Sequence, residues 1–555
     1  MMITGKRSML PLRVIAQCFI LIIIVGGLFG AFAPSAFAHA TLDRATPQAN
    51  EKMTASPPEV KLVFSEAIEQ GVGALEVLDT KARKVTSETA ALSGDRTTLS
   101  LKLPELAEGV YTVSYRIVSE DGHPVSGSYV FVVGNPPEWK DGSAFNDVYG
   151  GGETDSHALS SDNWLLYTAR IIYYAALLIA AGLMLWGAAY RKANDSVAAV
   201  FRRLLLISLR ALLLSLLVLI FLQSKDIMEG QPLSAWGQLF TGTASGRAWL
   251  ELIALTLAGF AILSIKQGTG IRAAVQLLWA LIIVAVESML GHPAANDPKL
   301  LTIAGDWIHL LAASIWAGGL LALLVLWFED RKEAGRFGAF FSRGALIALV
   351  SLVVTGIGMT LLFLPKLSYL WLTPWGVMLT IKAGLTLLVI ATGAWLRLRM
   401  RKGGIPDGRL LRVDTALMLV IVGIAAIFTY VSPLPSNDPV HYHQMGEDVH
   451  YTLEISPNIP GGSNAATLQV WLPEQLGEPK SVVLRLRSEG REDAPIDVPI
   501  AKFDDQSYDT FEGFVRTSYQ AKGAFLPYAA KWKAEIRILT KEDVEIVKEV
   551  SFVNY

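Results

Sequence analysis

The sequence predicts a multi-domain membrane protein: a β-rich domain, a bundle of eight membrane-crossing helices, and a second β-rich domain. Three observations carry this. Of the 555 residues, 52% are hydrophobic and 18% charged, too apolar for a wholly soluble chain and too charged for a wholly embedded one. The apolar residues gather into eight runs long enough to cross a bilayer, and basic residues favour alternate loops between them. On either side of these runs, short stretches alternate polar and apolar residues, as half-buried strands do.

The first 38 residues carry Lys6, Arg7 and Arg13, an apolar run from Val14 to Phe32, and then Ser-Ala-Phe-Ala. That order is the one a secretory signal peptide needs, and it places the cut between Ala38 and His39. The single cysteine, Cys18, lies inside this segment, so the mature chain is expected to use His, Met, carboxylate or backbone donors for any metal. A formal net charge of −2 and the lack of a basic patch with interleaved aromatics argue against a nucleic-acid partner.

Residues 39–134 contain "EVKLVFSEAI", "GALEVLD", "TTLSLKL", "GVYTVSYRIVS" and "GSYVFVVG", separated by Pro, Gly and Asp, and predict a small β-sandwich or barrel. Residues 135–163, with "VYGGGETDSHALSSDN", show no period and read as a flexible linker. The eight apolar runs follow, at about 164–189, 201–223, 247–265, 272–289, 303–328, 341–364, 374–396 and 412–431, within a bundle domain of 164–432.

Arg191, Lys192, Arg202 and Arg203 follow the first run, Lys266 and Arg272 the third, Arg331, Lys332, Arg336 and Arg343 the fifth, and Arg397, Arg399, Arg401, Lys402 and Arg409 the seventh. The even loops carry chiefly Lys225, Lys299 and Lys366. Basic loops stay in the cytoplasm, which places both ends of the bundle, and both β-domains, outside the cell membrane. Residues 440–555, with "VHYTLEI", "ATLQVWL", "SVVLRLR" and "KAEIRIL", predict the second extracytoplasmic β-sandwich.

The eight histidines, His39, His123, His157, His292, His309, His441, His443 and His450, all fall in outer domains, outer loops or outer helix halves. In "SEDGHPVSG", Asp121 and His123 are two apart, so in an extended segment both side chains point to one face. A cut before His39 would add an α-amino nitrogen and an imidazole as a chelate. With a second imidazole this makes a T-shaped set of three nitrogens, which favours Cu(II); Asp121 would supply an axial oxygen or orient a ligand.

The stretches "HATLDRATPQAN", "PPEVKLVFSEAIE" and "SEDGHPVSGSYVFVVG" resemble the CopC copper-binding domain over residues 39–134. The resemblance implies an immunoglobulin-like or cupredoxin-like sandwich with His39, Asp121 and His123 as Cu(II) ligands. The Met-rich loop that gives some members a Cu(I) site is missing, with Met53 the only methionine of the domain, so a Cu(II) site alone is expected. "GHPAA", "DWIHLLAASIWAGGL" and "LTPWGVMLTIKAGL" resemble the CopD copper-transport family, and the tail resembles a YtkA-like domain. The whole order is similar to the YcnJ-type copper acquisition proteins.

Within the bundle, Met289, His292, His309, Met359 and Met378 lie toward the outer side, and thioether with imidazole donors suits Cu(I) or a passing copper ion. Glu287 and Lys382 are deeper, and are expected to pair or to face a polar pathway; Arg170 and Glu251 allow the same reading. In "HYHQMGEDVH", His441, His443 and Met445 would share one strand face as a second relay point.

The expected function is copper uptake, with capture of Cu(II) outside and passage through the bundle, and no enzymatic activity. No nucleotide-binding motif marks the short cytoplasmic loops. Cytosolic copper is normally Cu(I), which implies a reductase or copper chaperone as partner besides copper ions and the bilayer. The rivals are a membrane-tethered histidine-brace enzyme and a copper-sensing receptor that does not transport.

Overall fold

The computed structural model describes residues 42–134, 164–431 and 440–554, less 48–51, 65, 80, 82, 121, 123, 191–193, 229–235, 267–268, 297, 365, 402–405, 447, 457, 459–463, 490–493, 505–510 and 512. The expected signal peptide and linker, and the three expected Cu(II) ligands His39, Asp121 and His123, therefore lie outside the described residues.

The N-terminal domain has eight strands: β1 (Leu42–Thr46), β2 (Lys52–Met53), β3 (Glu59–Phe64), β4 (Ile68–Leu78), β5 (Ala91–Leu92), β6 (Thr98–Lys102), β7 (Gly109–Ser119) and β8 (Pro124–Val133). They form two four-stranded sheets, ordered β1-β3-β6-β5 and β2-β8-β7-β4. The alternation seen in the sequence decides which face is inside: Val60, Leu62 and Phe64 of β3 meet Val113, Ile117 and Phe131 of the other sheet in one apolar core.

The bundle comprises α1 (Trp164–Ala189), α2 (Asp195–Ile227), the short α3 (Trp236–Gly242), α4 (Ala244–Ile262), α5 (Gly270–Ser288), the single turn α6 (His292–Ala295), α7 (Lys299–Glu329), α8 (Arg331–Phe363), the single turn α9 (Tyr369–Leu372), α10 (Pro374–Arg401) and α11 (Gly408–Phe428). Eight of these are long and apolar enough to cross a membrane. Several helices outrun the apolar runs because a polar first turn precedes them: Asn194, Asp330 and Asp407 accept backbone amides as N-caps at the basic-loop end. Arg203–Glu329 and Arg336–Glu333 ion pairs tie the same end.

Close backbone approach locks α1 to α7. A Cβ added to Gly182 would lie 1.9 Å from the Ser314 carbonyl oxygen, so only glycine fits there. By contrast, α8 and α10 present Ile347, Val354, Leu361 and Leu387 outward, a surface suited to lipid.

The N-terminal sandwich and the bundle form one compact unit, and the C-terminal domain forms another. The latter holds β9 (Val440–Gln444), β10 (His450–Ser456), β11 (Asn464–Pro473), β12 (Ser481–Ser488), β13 (Ile496–Val498), β14 (Ala501–Phe503), β15 (Phe514–Gly523), β16 (Ala530–Leu539) and β17 (Glu545–Asn554). A five-stranded sheet, β14-β15-β11-β10-β9, and a four-stranded sheet, β13-β12-β16-β17, share a core that includes Leu468, Leu484, Trp532 and Ile536.

Candidate functional site

At the end of the bundle away from the basic loops, α1, α2, α4, α5 and α7 surround a cavity of about 110 Å3. Its polar wall is built from Arg170, Tyr173, Glu287, His292 and Asp306. Charged groups at membrane depth are costly unless partnered, and each of these has a partner. Glu287, buried at the end of α5, accepts a hydrogen bond from the Tyr173 hydroxyl at 2.5 Å and another from Tyr174. Arg170 donates to the Ala426 carbonyl at 3.2 Å and to Thr429 Oγ1 at 3.0 Å, and lies 5.1 Å from the centre of the Tyr430 ring.

The expected coupling of Glu287 with Lys382 takes a different form. The positive charge acting on Glu287 is Arg170, whereas Lys382 acts on Asp306 and sits 5.5 Å from the Phe428 ring centre. Glu251 is exposed on α4, outside the cavity lining.

His292 opens α6 and is buried. Its Nε2 is 2.9 Å from the Val431 carbonyl, which can only accept, so Nε2 carries a proton. His309 lies deeper than its place in the apolar run implies. Because α7 starts at Lys299, His309 is ten residues in, about 15 Å along the axis.

The tautomer of His309 follows from Thr355 on α8. Thr355 Oγ1 donates to the Ser351 carbonyl at 2.6 Å, so it must accept from His309 Nδ1, 2.8 Å away, and Nε2 is left as the lone-pair nitrogen a metal needs. Met359, one turn from Thr355, packs against Gly305, one turn from His309, with its sulfur 3.8 Å from where a Gly305 Cβ would be. The α7–α8 seam thus brings an imidazole and a thioether to neighbouring levels. Met289 is 57% exposed at the end of α5, and Met378 lies on α10 one turn before Lys382.

The N-terminal domain is seated on the cavity end of the bundle. Glu120 accepts both of its hydrogen bonds to the Lys299 ammonium at 2.8 Å and also pairs with Arg96. Glu69 Oε2 accepts the Ala244 amide at 3.3 Å, at the N-terminus of α4 where an anion is favoured. Burial raises the pKa of Glu69 above its ordinary 4.5, against the lowering effect of the Ala244 and Ser245 amides. Gly122, at φ +88°, lines the cavity itself, and a Cβ there would lie 2.9 Å from Ser245 Oγ. The residue between the two expected ligands Asp121 and His123 is therefore part of the cavity wall.

In the tail, β9 pairs with β10 so that His441 faces Glu454 and His443 faces Thr452. His441 Nδ1 is 2.9 Å from Glu454 Oε1 and His443 Nδ1 is 2.7 Å from Thr452 Oγ1, which places both histidines on one face; Met445 follows the strand and is exposed. His450 shares the β10 face of Thr452 and Glu454, and so the face of His441 and His443, but it is buried beside Phe511 and Phe514, with Phe511 also against His443. Among the described residues, no three His, Asp or Glu side chains are grouped so as to hold a metal ion.

Sequence reasoning missed Tyr173, Asp306, Glu69, Glu120 and Lys299. Asp306 was detectable: it stands three residues before His309 in "DWIH", on the same helix face. The docking residues carry no such local signal, because their partners are remote in sequence.

Comparison with known proteins follows the same division of the chain. Residues 42–134 match the family described as "CopC domain", residues 160–300 "Copper resistance protein D-like, N-terminal domain", and residues 335–428 "Copper resistance protein D". The "Copper transport protein CutJ" of Bacillus subtilis (strain 168) is 27% identical over 468 residues, covering 78% of this chain and 82% of that protein. "Protein YobA" of Escherichia coli (strain K12) is 36% identical over 102 residues, 18% of this chain and 82% of its own length. Among solved structures, CopC from Methylosinus trichosporium OB3b is 36% identical and covers 18% of this chain and 99% of its own, with a TM-score of 0.17.

Proposed function

Since the chain belongs to the copper transport and resistance proteins that join a CopC and a CopD domain in one polypeptide, we propose that it captures Cu(II) outside the cell membrane and imports copper through its helix bundle. It is a multi-pass membrane protein, and its relatives are copper transport and resistance proteins rather than enzymes. The observation that carries the import reading is the seat of the N-terminal domain. That domain rests on the bundle end opposite the basic loops, and its Gly122 closes a polar cavity there.

In this reading His39, Asp121 and His123 hold Cu(II), with the α-amino group of His39 freed by signal cleavage. The basic loops face the cytoplasm, so that both β-domains are extracytoplasmic. Copper passes His292 and then the His309–Met359 seam, whose imidazole and thioether suit Cu(I); Met289 and Met378 flank this route. His441, His443 and Met445 form a relay point in the tail, supported by the common face of His441 and His443. A copper chaperone or reductase completes the pathway.

The test is Cu(II) titration of the purified full-length protein with its N-terminus sequenced, followed by copper flux in proteoliposomes. Extending the mature terminus by one residue, or His123→Ala, is expected to weaken Cu(II) affinity at least about tenfold, the scale set by perturbing a metal's supporting ligands. A terminus other than His39 sinks the amino ligation. Bound Cu(II) with no flux favours a sensor over a transporter.

A further inference from the structure

We infer that Asp414 is a proton-binding site in the basic-loop half of the bundle, and that copper passage is coupled to its loading and unloading. The coupling rests on the import reading above, whereas the proton site stands on the geometry of α10 and α11.

Asp414 is six residues into α11, about 9 Å along the axis from the basic-loop end, and it is buried. An ionisable side chain at membrane depth is costly, and it marks function unless a neighbouring charge balances it. Among the described residues no cation pairs with Asp414, and its hydrogen-bond partner is Thr392 on α10.

The charged groups of the helices packed around it are engaged or distant. On α10, Arg397 donates to the Ser342 carbonyl at 2.8 Å and Arg399 pairs with Asp407, while Lys382 is ten residues from Thr392 toward the cavity end. On α7, no charged residue stands between His309 and Glu329, which pairs with Arg203. The one charge on α1 is Arg170, at the cavity. On α11 itself, Arg409 and Arg412 are exposed, and Arg412 donates to the Gly408 carbonyl at 3.1 Å. The form of Asp414 that fits these surroundings is the uncharged acid, a carboxyl carrying its proton.

Thr392 makes that proton exchangeable. Its Oγ1 lies 3.1 Å from Asp414 Oδ1 and 3.1 Å from the Val389 carbonyl oxygen of its own helix. A hydroxyl has one hydrogen and two lone pairs. Turned toward Val389, it accepts from the acid; turned toward Asp414, it donates to the carboxylate. Both protonation states therefore keep their hydrogen bond. The proton leaves to water at the basic-loop end, and the carboxylate left behind is tolerated while a cation offsets its charge. Release is thus tied to the approach of the copper ion, and reloading to its departure.

A purely structural pin needs no proton, because asparagine has the same shape and can both donate to and accept from a hydroxyl. Infrared difference spectra of the full chain in lipid nanodiscs at neutral pH, wild type minus Asp414→Asn, are expected to show the C=O band of a protonated carboxyl. Thr392→Val leaves Asp414 in place and is expected to shift that band, since the acid loses its acceptor. In proteoliposomes enclosing a pH-sensitive dye, Cu(I) kept reduced by ascorbate is expected to drive proton movement in the wild type. Asp414→Asn loses this movement and Asp414→Glu regains part of it, with thermal unfolding confirming that each variant folds.

An ionised carboxylate in the difference spectrum, or a band that Thr392→Val leaves unmoved, overturns the proton site. Copper flux without proton movement in the wild type, or proton movement that survives in Asp414→Asn, overturns the coupling. A wild type that moves no copper sinks the import reading and the coupling with it, while the infrared band still decides the proton site.

Discussion

A threonine fixes the proton on His309, and a tyrosine hydroxyl donates a hydrogen bond to Glu287: the chemistry of the bundle is set by neighbouring hydroxyls as well as by the ionisable residues. The same logic makes His450 a stability switch. Buried beside Phe511 and Phe514, it has its pKa lowered from the ordinary 6.5 by desolvation, against an opposing hydrogen bond that the ring donates to the Gly446 backbone carbonyl.

The sign follows. A base with a depressed pKa in the fold contributes stability that is fully present above 6.5 and is lost as pH falls through the lowered value. Urea unfolding of residues 440–555, a compact unit with its own core, is expected to show stability declining below about pH 6.5, by at most about 1.4 kcal/mol per pH unit. His450→Phe removes that slope. A slope that survives the substitution assigns it to other groups. His450 was legible in the sequence only as one histidine among several in "HYHQMGEDVH"; its burial comes from Phe511 and Phe514, remote in sequence, which a short polar segment does not announce.

At the scale of elements, the eight spans were readable because hydrocarbon imposes a length and a composition, while the ends were less so. Asp195 and Lys299 begin helices several residues before their apolar runs, since caps and polar turns extend a helix into the interface. Which helices touch was not readable at all. The α1–α7 contact depends on Gly182 and Gly318, and glycine in an apolar run gives no indication of its partner.

The contact makes a testable demand. Gly182→Val must push α7 away, because the nearest atom is the Ser314 backbone oxygen, which cannot yield as a side chain can. Destabilisation of about 1–3 kcal/mol is expected, the usual cost of overpacking. Gly187→Ala, on the same helix, meets the flexible end of Gln276 at 2.9 Å and is expected to be tolerated. Thermal unfolding of the two variants compares them directly; equal melting temperatures would refute close α1–α7 packing.

At the scale of the whole molecule, the order of domains could be read from composition, but the seating of the first on the second could not. It is made by Glu120 with Lys299, and Glu69 with the start of α4, pairs separated by more than a hundred residues. Half-exposed ion pairs contribute little, about 0–1 kcal/mol, so Glu120–Lys299 alone does not hold the domain. Its effect is to set register, placing Gly122 against Ser245.

Reversing that charge should therefore disturb transfer more than binding. Lys299→Glu faces Glu120 with a like charge, whereas Lys299→Arg keeps the pair. Fluorescence energy transfer between labels on β6 and on α3 is expected to fall in Lys299→Glu and to hold in Lys299→Arg. Cu(II) affinity of the N-terminal domain should stay within a few-fold of wild type in both, because Lys299 lies outside that domain, while copper uptake drops only in the reversal. Unchanged uptake in an undocked Lys299→Glu protein would mean that the ion reaches the bundle without the domain's contact, and the seat would then serve stability rather than delivery.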